Sequence, residues 1–256
     1  MDLGLRDKIA LVTGSTRGIG KAIAGALADE GAKVVICGRT ENTLTATADE
    51  LRARGATVLP IAGDVTQFDD LARIVQSAKD AWGGVDVLVH NAGGSTGGGL
   101  LETTDEEWAA AFHLNVTTGA RAARLCVASM RERGAGAIVM IASIWGREAG
   151  GRLTYNPAKA AEISLCKALA RELAPHNIRV NSVAPGSIQF PGGSWDKRVQ
   201  ADPEGMRDFV ARELPFGRFG APEEVANVVA FLCSPKASWV SGSCVVVDGC
   251  QSKSNL

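Results

Sequence analysis

"KIALVTGSTRGIGKAIAGALADEGA", residues 8–32, decides the fold. Its first six residues form a short apolar run containing β-branched Ile9 and Val12, which predicts a buried strand over 8–13. Apolar residues then recur at helical spacing, which predicts a helix over 18–32 that ends at Gly31. Between the two lie Gly14, Gly18 and Gly20, spaced G-x-x-x-G-x-G. Glycine permits a tight turn and lets a backbone approach a pyrophosphate closely. The helix that follows offers free N–H groups and the positive end of its dipole to the same anion. Strand, glycine loop and helix in that order predict a dinucleotide-binding βαβ unit.

The rest of the chain repeats the alternation. Strand patterns fall at 33–38, 57–64, 85–93, 136–143, 178–186 and 244–249, with Pro60 an unusual residue for a strand. Helical patterns fall at 41–55, 69–84, about 105–133 with a break, 153–174 and 222–234. The strands are continuous apolar runs, as expected where both sheet faces are covered. The expected class is therefore α/β: a single Rossmann-like, doubly wound domain over 1–256, with about seven parallel strands and helices on both faces. Residues 186–215 interrupt the pattern. A connection of this length in a compact domain predicts a substrate loop or lid.

Charge is balanced, with 27 basic against 28 acidic residues. Phosphate backbones and membrane surfaces call for a basic excess, so neither nucleic acid nor membrane is an expected partner. No secretory-leader pattern and no run of bilayer length is present, so a cytoplasmic location is expected. Six cysteines without a C-x-x-C and three scattered histidines predict reduced thiols and no metal site.

The end of the second strand bears on the choice of cofactor. An acid there would accept hydrogen bonds from a ribose 2′-hydroxyl and repel a 2′-phosphate. The residues are Cys37, Gly38 and Arg39, and Arg17 in the glycine loop could approach the same corner. Two guanidiniums can clamp a phosphate, so NADP(H) is the expected preference, with NAD(H) possible. The alternative is a solvated Arg39 paired with Glu41.

Tyr155 is the only tyrosine, with Lys159 four residues later on the same helix face and Ser143 twelve before. Together with TGSTRGIG (13–20), Asp64-Val65, Asn91-Ala92-Gly93, Asn115 and Pro185-Gly186, these residues stand in a familiar order. The chain resembles the short-chain dehydrogenases/reductases, in their single-domain branch, and most of all the 3-oxoacyl-[acyl-carrier-protein] reductases. The resemblance covers the chain from the first strand to Asp248-Gly249.

That resemblance implies a nicotinamide dinucleotide held by Gly14, Ser15, Thr16, Arg17, Gly18, Ile19 and Gly20, with Arg39 and Thr40 beside the adenosine ribose. It implies that Asp64 holds the adenine amino group next to the Val65 backbone; helix N-capping is an alternative role for Asp64. Asn91, Ala92 and Gly93 would support the cofactor wall, and Pro185, Gly186 and Ile188 would lie against the nicotinamide. It further implies interconversion of a ketone and a secondary alcohol by hydride transfer. Tyr155 would be general acid in reduction and general base in oxidation. Lys159 would favour the phenolate by its charge and hold the ribose hydroxyls with Tyr155 beside it. Ser143 would hydrogen-bond the substrate oxygen, and Asn115 would position a water leading to Lys159. Pro157 departs from the family pattern, and it is tolerated only if the helix begins just before Tyr155.

Trp145, Arg147, Arg152, Phe190 and Trp195 are the expected substrate pocket: apolar, with a basic rim. A small-molecule hydrophobic ketone fits it, such as a 3-oxoacyl thioester. A polyol, sugar or hydroxysteroid dehydrogenase is the alternative enzyme, and a catalytically idle dinucleotide-binding sensor the alternative outside catalysis. A homo-oligomer, tetramer or dimer, is expected from the resemblance.

Overall fold

The computed structural model describes residues 2–255. Strand β1 (Ile9–Val12) is followed by α1 (Gly18–Asp29), β2 (Lys33–Gly38), α2 (Glu41–Ala53), β3 (Val58–Ala62), α3 (Phe68–Trp82) and β4 (Val87–His90). Then come α4 (Asp105–Phe112), α5 (Thr118–Glu132), β5 (Gly136–Ile141), α6 (Tyr155–Leu173) and β6 (Ile178–Pro185). The chain continues through α7 (Ser194–Ala201), α8 (Pro203–Glu213), α9 (Pro222–Cys233) and β7 (Cys244–Val247). The seven strands form one sheet in the order β3-β2-β1-β4-β5-β6-β7, and every pairing is parallel. This is the doubly wound α/β sheet expected from the alternation.

Strand periodicity of two sorts the core into two layers. In β1, Ala10 and Val12 pack on the face covered by α1, α2 and α9, while Leu11 packs on the face covered by α3, α5 and α6. Val34 and Ile36 against Val35 and Cys37 divide β2 in the same way. Both faces are dry, which is why the strands read as unbroken apolar runs. Leu11 is fully buried, so Leu11→Ala would cost about 2–5 kcal/mol. Pro60 is accommodated because β3 is an edge strand and pairs only with β2.

The predicted break in 105–133 is a π turn at His113–Thr117 between α4 and α5. The segment 186–215 is not an irregular loop: it contains α7 and α8, with Asp202 capping α8 through the Gly205 N–H at 2.9 Å. Trp195 of α7 stacks on Phe209 of α8 with ring centroids 4.9 Å apart, and Phe219, just beyond the segment, packs against both at 5.3 and 6.1 Å. Asp64 is not a helix N-cap. The helix starts four residues later at Phe68, and Asp64 Oδ1 accepts from the Thr66 N–H and hydroxyl at 3.0 and 2.8 Å. Among the described residues no helix is long and apolar enough to cross a membrane.

Sheet order reverses between β1 and β4. The chain leaves β1 toward one side and β4 toward the other, which opens a crevice at their carboxyl ends.

Candidate active site

A cavity of about 600 Å³ occupies that crevice. It is lined by Gly14, Thr16, Arg17, Ile19 and Gly20 after β1, and by Arg39 after β2. Asp64 and Val65 line it after β3, Asn91, Ala92 and Gly93 after β4, Ser143 after β5, and Pro185, Gly186 and Ile188 after β6. Tyr155 and Lys159 enter it from α6. Carboxyl-end loops of six strands thus supply one wall, as the doubly wound topology dictates.

The glycine loop is fixed from within. The Ser15 hydroxyl donates to Val12 O at 2.8 Å and accepts from the Cys37 N–H at 2.9 Å, so its side chain ties β1 to β2 and does not face the cavity. Gly18 and Thr40 also lie outside the lining; Gly18 instead lines a groove of about 950 Å³ on the far side of α1. Gly20 is required by close approach: a Cβ there would sit 2.4 Å from Asn91 Nδ2 and from Gly14 O. Asn91 Nδ2 donates to Thr13 O and Gly14 O, both at 3.0 Å. Thr13 Oγ1 in turn accepts from the Asn91 and Ala92 N–H groups at 2.9 and 3.0 Å.

The residues present fit a nicotinamide dinucleotide. No side chain caps the N-terminus of α1 and no acid sits in its first turn, so its free N–H groups suit a pyrophosphate. Arg17 and Arg39 are exposed, line the same cavity, and take part in no ion pair among the described residues, Glu41 included. No acid is present at the end of β2.

Tyr155 is the first residue of α6, and Pro157 is the third. The N–H groups of a helix's first turn have no partner within the helix, so the proline costs no hydrogen bond there. Thr154 precedes it and donates to Thr96 O at 2.6 Å. Ser143 is nearly buried, and its Oγ accepts from the Trp145 N–H at 3.2 Å. This leaves the Ser143 proton available to a substrate oxygen. Lys159 is 2% exposed. Its Nζ lies 5.6 Å from the Tyr155 ring centroid and donates to Ile141 O at 2.8 Å and to Glu162 Oε2 at 2.7 Å.

Burial disfavours the Lys159 ammonium, but the Glu162 carboxylate and the Tyr155 oxygen outweigh it and hold its pKa above the ordinary lysine value. Burial pushes the Glu162 carboxyl up to about 7, against the pull of Lys159. Burial, helped by the Lys159 charge, pushes the His90 imidazole down to about 3. His90 Nδ1 shares a hydrogen bond with Thr13 Oγ1 at 3.3 Å, beneath the loops that carry the site.

Asn115 is buried in the π turn, outside the cavity lining. Its Nδ2 donates to Ala111 O at 2.7 Å and to Gly94 O at 2.8 Å, and its Oδ1 accepts from the Gly94 N–H at 3.1 Å. The side chain therefore supports the turn that follows β4.

Of the expected substrate residues, Phe190 and Trp195 line the cavity; Trp145, Arg147 and Arg152 do not. Arg147 turns inward and donates to Cys244 O at 3.3 Å. Arg152 donates to Gly97 O at 3.1 Å, and Trp145 lines a separate cavity of about 370 Å³ beside Phe209. Asn156, not foreseen, explains this layout. Its amide reaches Trp145 O, Glu148 O and Gly150 O and folds 145–150 back onto α6. Gln251 was also missed. Its Oε1 accepts from the Ser187 N–H at 2.7 Å and its Nε2 donates to Ser187 Oγ at 2.9 Å, which pins the Pro185-Gly186 turn. Neither residue belongs to a spacing motif, so no sequence signal marked them.

A family model described as enoyl-(acyl carrier protein) reductase matches residues 14–250. Dehydrogenase/reductase SDR family member 4 of Mus musculus is 37% identical over 249 residues, 96% of this chain and 87% of its own length. The chain belongs to the short-chain dehydrogenase/reductase family. Another short-chain dehydrogenase/reductase, 3-oxoacyl-[acyl-carrier-protein] reductase of Vibrio cholerae, is 36% identical over 96% of this chain and 98% of its own. L-sorbose reductase of Gluconobacter frateurii, solved with NADPH and L-sorbose, superposes with a TM-score of 0.94 at 37% identity, covering 99% of this chain and all of that one. The short-chain dehydrogenase/reductase scaffold thus extends along this chain from the first strand to the last. The substrates in the last two names, a 3-oxoacyl group on acyl carrier protein and L-sorbose, are chemically unlike.

Proposed function

We propose that this chain is an NADP(H)-dependent reductase of a small-molecule ketone, working reversibly on the secondary alcohol, with Tyr155 as general acid and base. The observation that carries the proposal is the convergence of Ser143, Tyr155 and Lys159 on one cavity with the glycine loop, Arg17 and Arg39.

Gly14, Thr16, Ile19 and Gly20 would cradle the pyrophosphate at the start of α1, and Arg17 and Arg39 would grip a 2′-phosphate. Asp64 and Val65 would meet the adenine, and Pro185, Gly186 and Ile188 would back the nicotinamide. The bound nicotinamide supplies or takes the hydride, and the remaining work falls to the chain. Ser143 donates to the substrate oxygen and stabilises the negative charge that develops there. Tyr155 delivers the phenolic proton to that oxygen in reduction and removes it in oxidation. Lys159 sits beside the Tyr155 ring. Two of its three N–H groups are taken by Ile141 O and Glu162, and the third remains for the cavity side.

Ile188, Phe190, Trp195 and Leu114 give the cavity apolar walls, which favours a hydrophobic ketone such as a 3-oxoacyl thioester. With Arg147 and Arg152 engaged elsewhere, the expected basic rim is not part of the proposal. A ketose is the second reading, favoured by the likeness to the L-sorbose reductase. Helices α7 and α8, with their aromatic stack, would form the wall that selects between them. The experiment is a panel of 3-oxoacyl thioesters, simple aryl and alkyl ketones, ketoses and enoyl thioesters, each with NADPH and NADH. Turnover of ketones with NADPH supports the proposal. Turnover of enoyl thioesters alone, or of nothing, would overturn it.

A further inference from the structure

Glu162 lies one turn beyond Lys159 on the buried face of α6 and is fully inaccessible. Its Oε2 holds Lys159 Nζ at 2.7 Å, while its Oε1 has no hydrogen-bond partner among the described residues. A buried ion pair of this kind contributes little to stability, because desolvation offsets the attraction, and an unsatisfied carboxyl oxygen adds a further cost. An apolar side chain would pack this face of α6 without either cost. The consequence of placing a carboxylate here falls on Lys159, the cation whose Nζ lies 5.6 Å from the Tyr155 ring centroid.

The surroundings leave that pair electrically isolated. On α6 itself, Glu162 meets Lys159 and lies near Cys166, and Lys159 in turn faces Tyr155. Burial keeps the Cys166 thiol well above its ordinary pKa, hence neutral; Cys244 of β7 and Ser182 of β6 lie beyond it. From β4, His90 approaches Lys159 and is held neutral by burial. The Lys159 ammonium is therefore the charge that Glu162 meets, and the two act as one unit toward Tyr155.

We propose that Glu162 is a positioning residue for the Tyr155–Lys159 pair: its carboxylate holds Lys159 Nζ against the end of β5 and offsets part of the positive charge reaching Tyr155, thereby setting the pH at which the pair changes protonation state. The proposal rests on the reading of Tyr155 and Lys159 given above. Its sign follows from Coulomb's law. A negative charge in the site disfavours loss of a proton from either partner. Removing it lets the coupled pair deprotonate at lower pH, whichever group gives up the proton first. The Glu162 carboxyl itself titrates near neutrality, with its pKa raised to about 7 by burial, so its charge is expressed above that pH.

The test is the pH profile of kcat/KM for alcohol oxidation and ketone reduction with saturating cofactor, in wild type, Glu162→Gln, Glu162→Leu and Glu162→Asp. The neutral variants should shift the pair's limb to lower pH by about one unit or more, since each unit corresponds to a tenfold change in the protonation equilibrium. In oxidation the rising limb moves down; in reduction the falling limb moves down. Glu162→Asp keeps the charge and should stay within about 0.3 unit of wild type on the same scale. Profiles of Gln and Leu that overlay the wild type would overturn the proposal, as would an equal shift in Asp. Failure of both neutral variants to fold, read by thermal unfolding, would assign Glu162 to stability and also overturn it. Turnover in wild type that is lost in Tyr155→Phe tests the underlying reading separately, so the two failures are distinguishable.

Discussion

Asn115 and Gly94 bind each other reciprocally: the side-chain carbonyl takes the Gly94 N–H at 3.1 Å while the side-chain amide gives a hydrogen bond to Gly94 O at 2.8 Å. The same amide satisfies Ala111 O at 2.7 Å, a carbonyl of the helical turn just before the π turn. One side chain thus repairs a helix and fixes the turn after β4. Gly93 sits just above it, where a Cβ would come within 2.8 Å of Asn115 Oδ1 and 3.1 Å of Lys159 Nζ.

Asn115→Ala removes three hydrogen bonds of a buried side chain at once. At about 1 kcal/mol each, with a further penalty for the groups left unpaired, the expected loss is about 2–4 kcal/mol of stability. Thermal unfolding should fall by several degrees and turnover by about tenfold or more, since the wall beside Lys159 loses its anchor. A variant with wild-type unfolding and wild-type turnover would contradict this account of Asn115.

Arg17→Ala and Arg39→Ala should each lower kcat/KM with NADPH by about tenfold or more, the effect of losing a charge-assisted hydrogen bond. The values with NADH should change by less than about twofold, because NADH lacks the 2′-phosphate that the arginines would grip. Equal losses with both cofactors would show that neither arginine discriminates between them.

His90 is buried and neutral, with its pKa depressed from 6.5 to about 3 by burial and the nearby Lys159 charge. Between those values the unfolded chain binds a proton that the folded chain does not. The stability associated with His90 is therefore fully present above pH 6.5 and drains away as pH falls toward 3. His90→Gln keeps a polar group near Thr13 Oγ1 and removes the titration. Its unfolding temperature should depend less steeply on pH between about 6.5 and 4 than that of wild type. Parallel curves would assign the acid sensitivity to other groups.

The sequence made the sheet legible because buried parallel strands leave unbroken apolar runs; β2 falls at 33–38, where its pattern lies. The start of α6 was legible through Pro157, whose chemistry allows few helix positions. What lay beyond reach depended on direction. Arg147 and Arg152 read as a basic rim, but Asn156 folds their loop back onto α6, and no local spacing encodes that return. Helices α7 and α8 bury no residue fully and are polar in composition, with Pro203 and Gly205 at the start of α8, so the segment reads as a loop. Glu162 belongs to no spacing motif and carries no signal of its own in the sequence. Its meaning emerges only when Lys159 turns inward to meet it.

The most direct measurement of the central claim compares Tyr155→Phe with wild type in two assays: steady-state turnover of a ketone with NADPH, and equilibrium binding of NADPH. The substitution keeps the ring beside Lys159 and deletes only the hydroxyl. In Tyr155→Phe, kcat should fall by about 10²–10⁴-fold or more, the range expected for loss of a positioned acid-base group. NADPH affinity should stay within a few-fold of wild type. Near-normal turnover in Tyr155→Phe would contradict the assignment of Tyr155, and with it the proposed chemistry of the site.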